Sequence, residues 1–73
     1  MKIDQNRAQR IAGEFIAQQG AQGFSYSFAN INMHERFPEQ WNVIFDVFSA
    51  VGTLIDGPVV VVVDARNGEA RFL

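Results

Sequence analysis

A chain of 73 residues with 48% apolar, 12% aromatic and 19% charged residues has the composition of one small globular domain and not of a disordered segment. A single core of that size supplies only roughly 3–5 kcal/mol, and with no cysteine and one histidine the chain has no disulfide, thiolate metal site or imidazole cluster to add to it. Six basic residues, scattered among eight acidic ones, leave a net charge of −2 and no cationic footprint for nucleic acid.

The opening MKIDQNRAQR lacks the apolar stretch that follows a basic start in a secretory signal, and no run reaches the ~18 apolar residues of a membrane span. A cytoplasmic protein without membrane association is the expectation. Asp4 then reads as a helix N-cap, its carboxylate accepting a backbone N–H and favoured by the helix dipole. Ala8, Ile11, Ala12, Phe15 and Ile16 follow at helical spacing and make one apolar stripe, with Arg7, Arg10, Glu14 and Gln18 on the other faces. Gly20 supplies a left-handed stop. The spacing predicts a helix over about 4–19, with Gly13 as a weak point inside it.

From Phe24 the period changes to two. Phe24, Tyr26 and Phe28 alternate with small polar residues, after which the apolar phase slips to Ile31 and Met33, the mark of a β-bulge near Ala29-Asn30 or of the strand's end there. MHERFPEQ is a polar connection with Pro38. Trp41, Val43, Phe45 and Val47 then form an apolar face, with Asn42, Ile44, Asp46 and Phe48 on the other. Gly52 to Gly57 reads as a loop, and Pro58 starts a strand containing five consecutive valines, Val59 to Val63. Asn67-Gly68 is a preferred type I′ pair, and a two-residue loop there sets Arg66 opposite Glu69, Ala65 opposite Ala70, Asp64 opposite Arg71, Val63 opposite Phe72 and Val62 opposite Leu73. The expected fold is α+β: a single domain over 1–73 with one N-terminal helix packed on a four-stranded antiparallel meander, strands at about 24–33, 41–51, 58–65 and 69–73.

In that register the charge-free face, Val59, Val61, Val63, Ala65, Ala70 and Phe72, goes under the helix. Ile44, Phe48, Val60, Val62 and Leu73 are then left beside Asp46 on the far side of the sheet, with no second layer to cover them. Burying a valine or phenylalanine is worth roughly 1.5–3 kcal/mol, so such a patch favours a protein partner for so small a domain. Self-association as a homodimer across a twofold axis is one form. A different protein docking there or adding a strand is the other, with Asp46, Asp56 and Asp64 steering a basic partner.

Chemistry is thinly represented. His34-Glu35 has the residue types of an acid–base pair but no placed nucleophile or cleft signature. Asp46, Asp56 and Asp64 match no cation loop, Ser25, Ser27 and Ser49 have no nucleophile-elbow setting, and no glycine-rich phosphate cradle opens the helix. Trp41 and the seven phenylalanines lack the interleaved basic residues of a base-stacking platform. The expectation is a non-enzymatic protein with no catalytic, metal or cofactor residues; a small hydrolytic or metal-dependent enzyme is the distant alternative.

A helix, a Trp41-led strand and the closing VVVDARNGEARF together resemble the small bacterial α+β domains in which a helix precedes a meander ending in V-x-D-x-x-T/N-G-E. PepSY domains and a family of immunity-protein domains of bacterial polymorphic-toxin systems share this outline, and the resemblance rests on Trp41, Asp64, Gly68 and Glu69. Resemblance to the immunity family implies binding and blocking a cognate toxin, and resemblance to PepSY domains implies regulation of a peptidase, with no catalysis in either case.

Overall fold

Asp4 closes the first turn of the helix as its charge and position require: its Oδ1 accepts the Arg7 N–H at 2.8 Å. The computed structural model describes residues 2–19, 23–33, 36 and 39–73, with the backbone alone at Asp56. Helix α1 is Gln5–Gln18, followed by β1 Ser25–Met33, β2 Gln40–Phe48, β3 Leu54–Asp64 and β4 Ala70–Phe72. The strands form one antiparallel sheet in the order β1-β2-β3-β4, with α1 on one face, so the α+β meander read from the sequence is the fold. Gly20, the expected helix stop, lies outside the described residues, as do His34 and Glu35.

The helix reaches the sheet through small residues. Ala8 and Ala12 are fully buried, which lets the helix backbone approach closely enough for Ile16, Val43, Phe45, Val61 and Val63 to close the core around them. On β2, Trp41, Val43, Phe45 and Val47 face inward as their alternation requires, opposite Val63, Val61, Val59 and Ile55 of β3. Phe15 of α1 meets Phe72 of β4 edge-on at 4.9 Å between ring centroids. The slip in β1 is a bulge: Phe28 pairs with Phe45 and Asn30 with Ile44, leaving Ala29 as the extra residue.

The second half of the sheet departs from the sequence reading in two places. Strand β2 ends at Phe48 and not near 51, and the connection is a short turn in which the Ser49 N–H donates to Thr53 O at 2.8 Å and the Gly52 N–H to Ser49 O at 2.9 Å. Leu54 and Ile55, expected in a loop, already pair with Phe48 and Val47. The turn-like Asp56-Gly57-Pro58 is instead a bulge inside β3, where these residues stand against Asp46 alone before Val59 rejoins Phe45. There Gly57 takes φ +92°, and a proline without a donor does no harm in such an interruption.

The last hairpin is the other correction. Its loop is Ala65 to Gly68 and not Asn67-Gly68 alone: the Asp64 N–H donates to Glu69 O, and the Gly68 N–H to Asp64 O, both at 2.8 Å. Asn67 does not take the positive φ that a type I′ turn demands; among the described residues only glycines do. The pairs are therefore Val63 with Ala70, Val62 with Arg71 and Val61 with Phe72. Because the shift is two residues, every side chain keeps the face assigned to it; a shift of one would have reversed them all.

What holds the longer loop is the N-terminal segment. The Ile3 N–H donates to Ala65 O at 2.7 Å, the Trp41 indole N–H donates to Ile3 O at 2.9 Å, and the Ala65 N–H donates to Glu39 O at 2.7 Å. Ala65 is buried by this arrangement, and Gly68, at φ +78°, lies so close that an added Cβ would stand 2.9 Å from Ile3 Cδ1.

Candidate functional site

The outer face of the sheet is where the sequence places the partner-binding residues. The register sets Ile44 of β2 opposite Val60 of β3, and the N–H of Leu73, the residue after β4, donates to Val60 O at 3.0 Å, so Leu73, Val60 and Ile44 form one row. A second row joins Phe48 to Leu54. Asp46 lies between the rows on β2, half-buried and opposite Ser27. Leu73 is 77% exposed and Leu54 56%, while Ile44, Phe48 and Val60 are half-buried. No local pattern marks Leu54, because the segment from Gly52 to Gly57 carries the composition of a loop.

Val62 differs from the expectation of an open valine. It is only 2% exposed, flanked in register by Asn42 and Arg71, and so presents almost no surface to a partner. The patch is consequently a stripe along the row of Val60 and not a broad sheet face. Beside it Asn42 donates weakly to Asn32 Oδ1 at 3.4 Å, while its own Oδ1 is buried with no hydrogen-bond partner. An acceptor left in that state costs about 1–3 kcal/mol.

The two opposite-charge pairs expected on this hairpin do not form; the wider loop replaces them. Arg66 turns back on Asp64, its Nε donating to Oδ1 at 3.1 Å and its second guanidinium nitrogen to Oδ2 at 2.9 Å, while the Arg66 backbone N–H also reaches Oδ1 at 2.8 Å. These bonds hold the Asp64 carboxyl below its ordinary pKa, the side-chain bond from Arg66 first, and Asp64 raises the Arg66 guanidinium in turn. Glu39 extends the group, 3.2 Å from Arg66 and 3.6 Å from Lys2. Exposed pairs of this kind position a loop more than they stabilise a fold.

A shallow recess of about 320 Å³ opens beside the hairpin, lined by Gln40, Val62, Asp64, Glu69, Ala70 and Arg71. Its lining side chains include no hydroxyl or imidazole. Asp46 and Asp64 stand opposite Ser27 and beside Gln40, about 20 Å apart along the strands. Among the described residues no group of three or more His, Cys, Asp or Glu side chains is arranged to hold a metal ion. The side chain of Asp56 lies outside the described residues. Ser25 and Ser27 are exposed on β1, and Ser49 Oγ accepts the Thr53 N–H at 3.2 Å, so the serines stand apart. Trp41 is packed against the core with its indole bonded to Ile3. No helix among the described residues is long and apolar enough to cross a membrane. Comparison with family models, with curated proteins and with solved structures finds no match for this chain.

Proposed function

We propose that this chain is a non-enzymatic protein-interaction domain that takes a protein partner along the outer face of its sheet. The observation that carries this reading is the stripe Leu73–Val60–Ile44, continued by Leu54 and Phe48, which lies on the face opposite the helix. Burial of large aliphatic side chains is the main source of affinity in such contacts, and a half-buried carboxylate between the apolar rows, Asp46, adds a point of charge recognition for a basic group on the partner. The shape of the molecule supports the same reading. Its accessible surface is 5023 Å² for 8.2 kDa, where a compact monomer of that mass exposes about 4,500 Å².

Leu54→Asp combined with Leu73→Asp tests this, since both side chains are exposed and the fold does not rest on them. The protein is isolated from its own cells after cross-linking, and the complex is then mapped by hydrogen exchange against the free chain. Protection over Ile44, Val60 and Leu73, with loss of the complex in the double variant and an unchanged circular dichroism spectrum, is the expected result. A complex that survives both charges, or protection confined to α1, overturns the assignment.

A further inference from the structure

We infer that a second copy of this chain pairs with β1, edge to edge, across a twofold axis that passes between Ala29 and Asn30. This surface is the edge of the sheet and not its outer face, so the inference stands apart from the docking stripe proposed above.

The two edges of the sheet are unequal. On one side the edge is the three residues of β4 and the first half of β3, which β4 does not reach and which Asp56-Gly57-Pro58 interrupts, whereas β1 offers nine residues and pairs on one side only. Long free edges are ordinarily blunted by charges or proline, yet β1 reads SYSFANINM, without a charged residue or a proline. Three of the four large apolar side chains left exposed on the inner face lie here, Phe24 at 48%, Phe28 at 40% and Met33 at 40%, the fourth being Phe72 of β4, which packs on Phe15. Beside them a groove of about 290 Å³ runs between α1 and β1, walled by Ile16, Ala17, Phe24, Tyr26 and Phe45. One backbone donor marks the open side directly. The Ile31 N–H bonds to the Oδ1 of its own neighbour Asn30 at 2.8 Å, so its single proton is not spent on β2.

The bulge names the occupant. By resetting the phase at Ala29 it puts Tyr26, Phe28, Ile31 and Met33 on one face and Ser27 and Asn32 on the other. The strand pattern then reads the same in both directions: Tyr26 and Met33, Phe28 and Ile31, and Ser27 and Asn32 are all centred on the same point. An antiparallel copy in that register sets Phe28 opposite the second copy's Ile31, Tyr26 opposite its Met33 and Ser27 opposite its Asn32, apolar with apolar and polar with polar, and opposes no charges. A copy of this chain meets these conditions by its own symmetry. Its Met33 would lie against Tyr26, along the groove beside α1. The Asn30 amide would release the Ile31 N–H to the second strand. The product is one continuous sheet with both helices on the same side.

Light scattering and sedimentation across a concentration series give the first test, with a mass of twice 8.2 kDa expected. Because the chain has no cysteine, the register can then be read directly. Ser27→Cys protein mixed with Asn32→Cys protein is expected to cross-link on mild oxidation, while each variant alone does so at least tenfold less. Phe28→Lys with Met33→Lys is expected to return the mass to that of one protomer without changing the circular dichroism spectrum, whereas Leu54→Asp with Leu73→Asp leaves the dimer intact. A monomer at high concentration, equal cross-linking in the single variants and the mixture, a dimer that persists with the two lysines, or one abolished by the outer-face pair each overturns the inference. Only the last of these outcomes bears on the outer stripe, which it would make the surface of self-association.

Discussion

Asp64 shows how one side chain can decide the geometry of a hairpin. Its carboxylate accepts from the Arg66 backbone and guanidinium, while Asn67 Oδ1 accepts the Glu69 N–H at 2.9 Å, so both ends of the Ala65–Gly68 loop are tied by their own polar residues. Because the folded-state pKa of Asp64 is depressed, its contribution to stability is present above the ordinary carboxylate pKa and is lost as the pH falls through the lower folded value. In an NMR titration the Asp64 carboxyl is therefore expected to have its midpoint below 3.8, and Arg66→Gln to move it back toward that value. A midpoint indifferent to the substitution removes the Arg66 bond as the cause. Trp41, Asp64, Gly68 and Glu69, the residues that carry the resemblance to small bacterial α+β domains, all serve the internal structure here as a strap bond, a loop cap, a positive-φ position and a strand entry.

Elements respond to the same substitution in opposite directions, according to what surrounds them. Gly13 lies in the exposed interior of α1 with nothing within 4 Å of an added Cβ, so Gly13→Ala is expected to stabilise the protein by about 0.5–1 kcal/mol through a less flexible unfolded chain. Gly68 combines φ +78° with Ile3 Cδ1 at 2.9 Å and Ile11 Cδ1 at 3.4 Å, so Gly68→Ala is expected to destabilise it by about 1–3 kcal/mol. Thermal melts separate the two, since 1 kcal/mol moves Tm by about 4–8 °C in a domain of this size; a shift of the same sign in both would contradict this account. The helix was legible in the sequence because its signals are local: an N-cap and a stripe at helical spacing. The bulge in β1 was legible for the same reason, as a slip in alternation. The start of β3 was not, because Asp56-Gly57-Pro58 carries local turn chemistry that the pairing of Leu54 and Ile55 with β2 overrides.

At the scale of the whole molecule, the first residues act as a strap across the far end of the sheet. Ile3 is bonded in both directions, to Ala65 and by Trp41, and its side chain packs over Gly68. Trp41→Phe keeps the ring in the core but removes the indole donor, which is expected to cost about 0.5–1.5 kcal/mol and to raise hydrogen exchange at the Ile3 amide. Unchanged protection at Ile3 would show that the strap holds without the indole. The extents of 41 × 22 × 18 Å and a helix only about 21 Å long explain why one helix leaves the end of the sheet and its β1 edge partly uncovered.

Short-range periodicity settles the helix, the four-stranded meander and the face of every residue that reads as strand, since a two-residue error in register preserves each face; Leu54 and Ile55, which read as loop, have none assigned by it. It also marked Ile44, Asp46, Phe48, Val60 and Leu73 as an outer set. Pairing between distant segments closes Val62 over between Asn42 and Arg71 and brings Leu54 into the stripe. It likewise decided that Ile3 clamps the last hairpin into a wider loop. Those outcomes depend on contacts between residues far apart in the chain, and no local pattern encodes them.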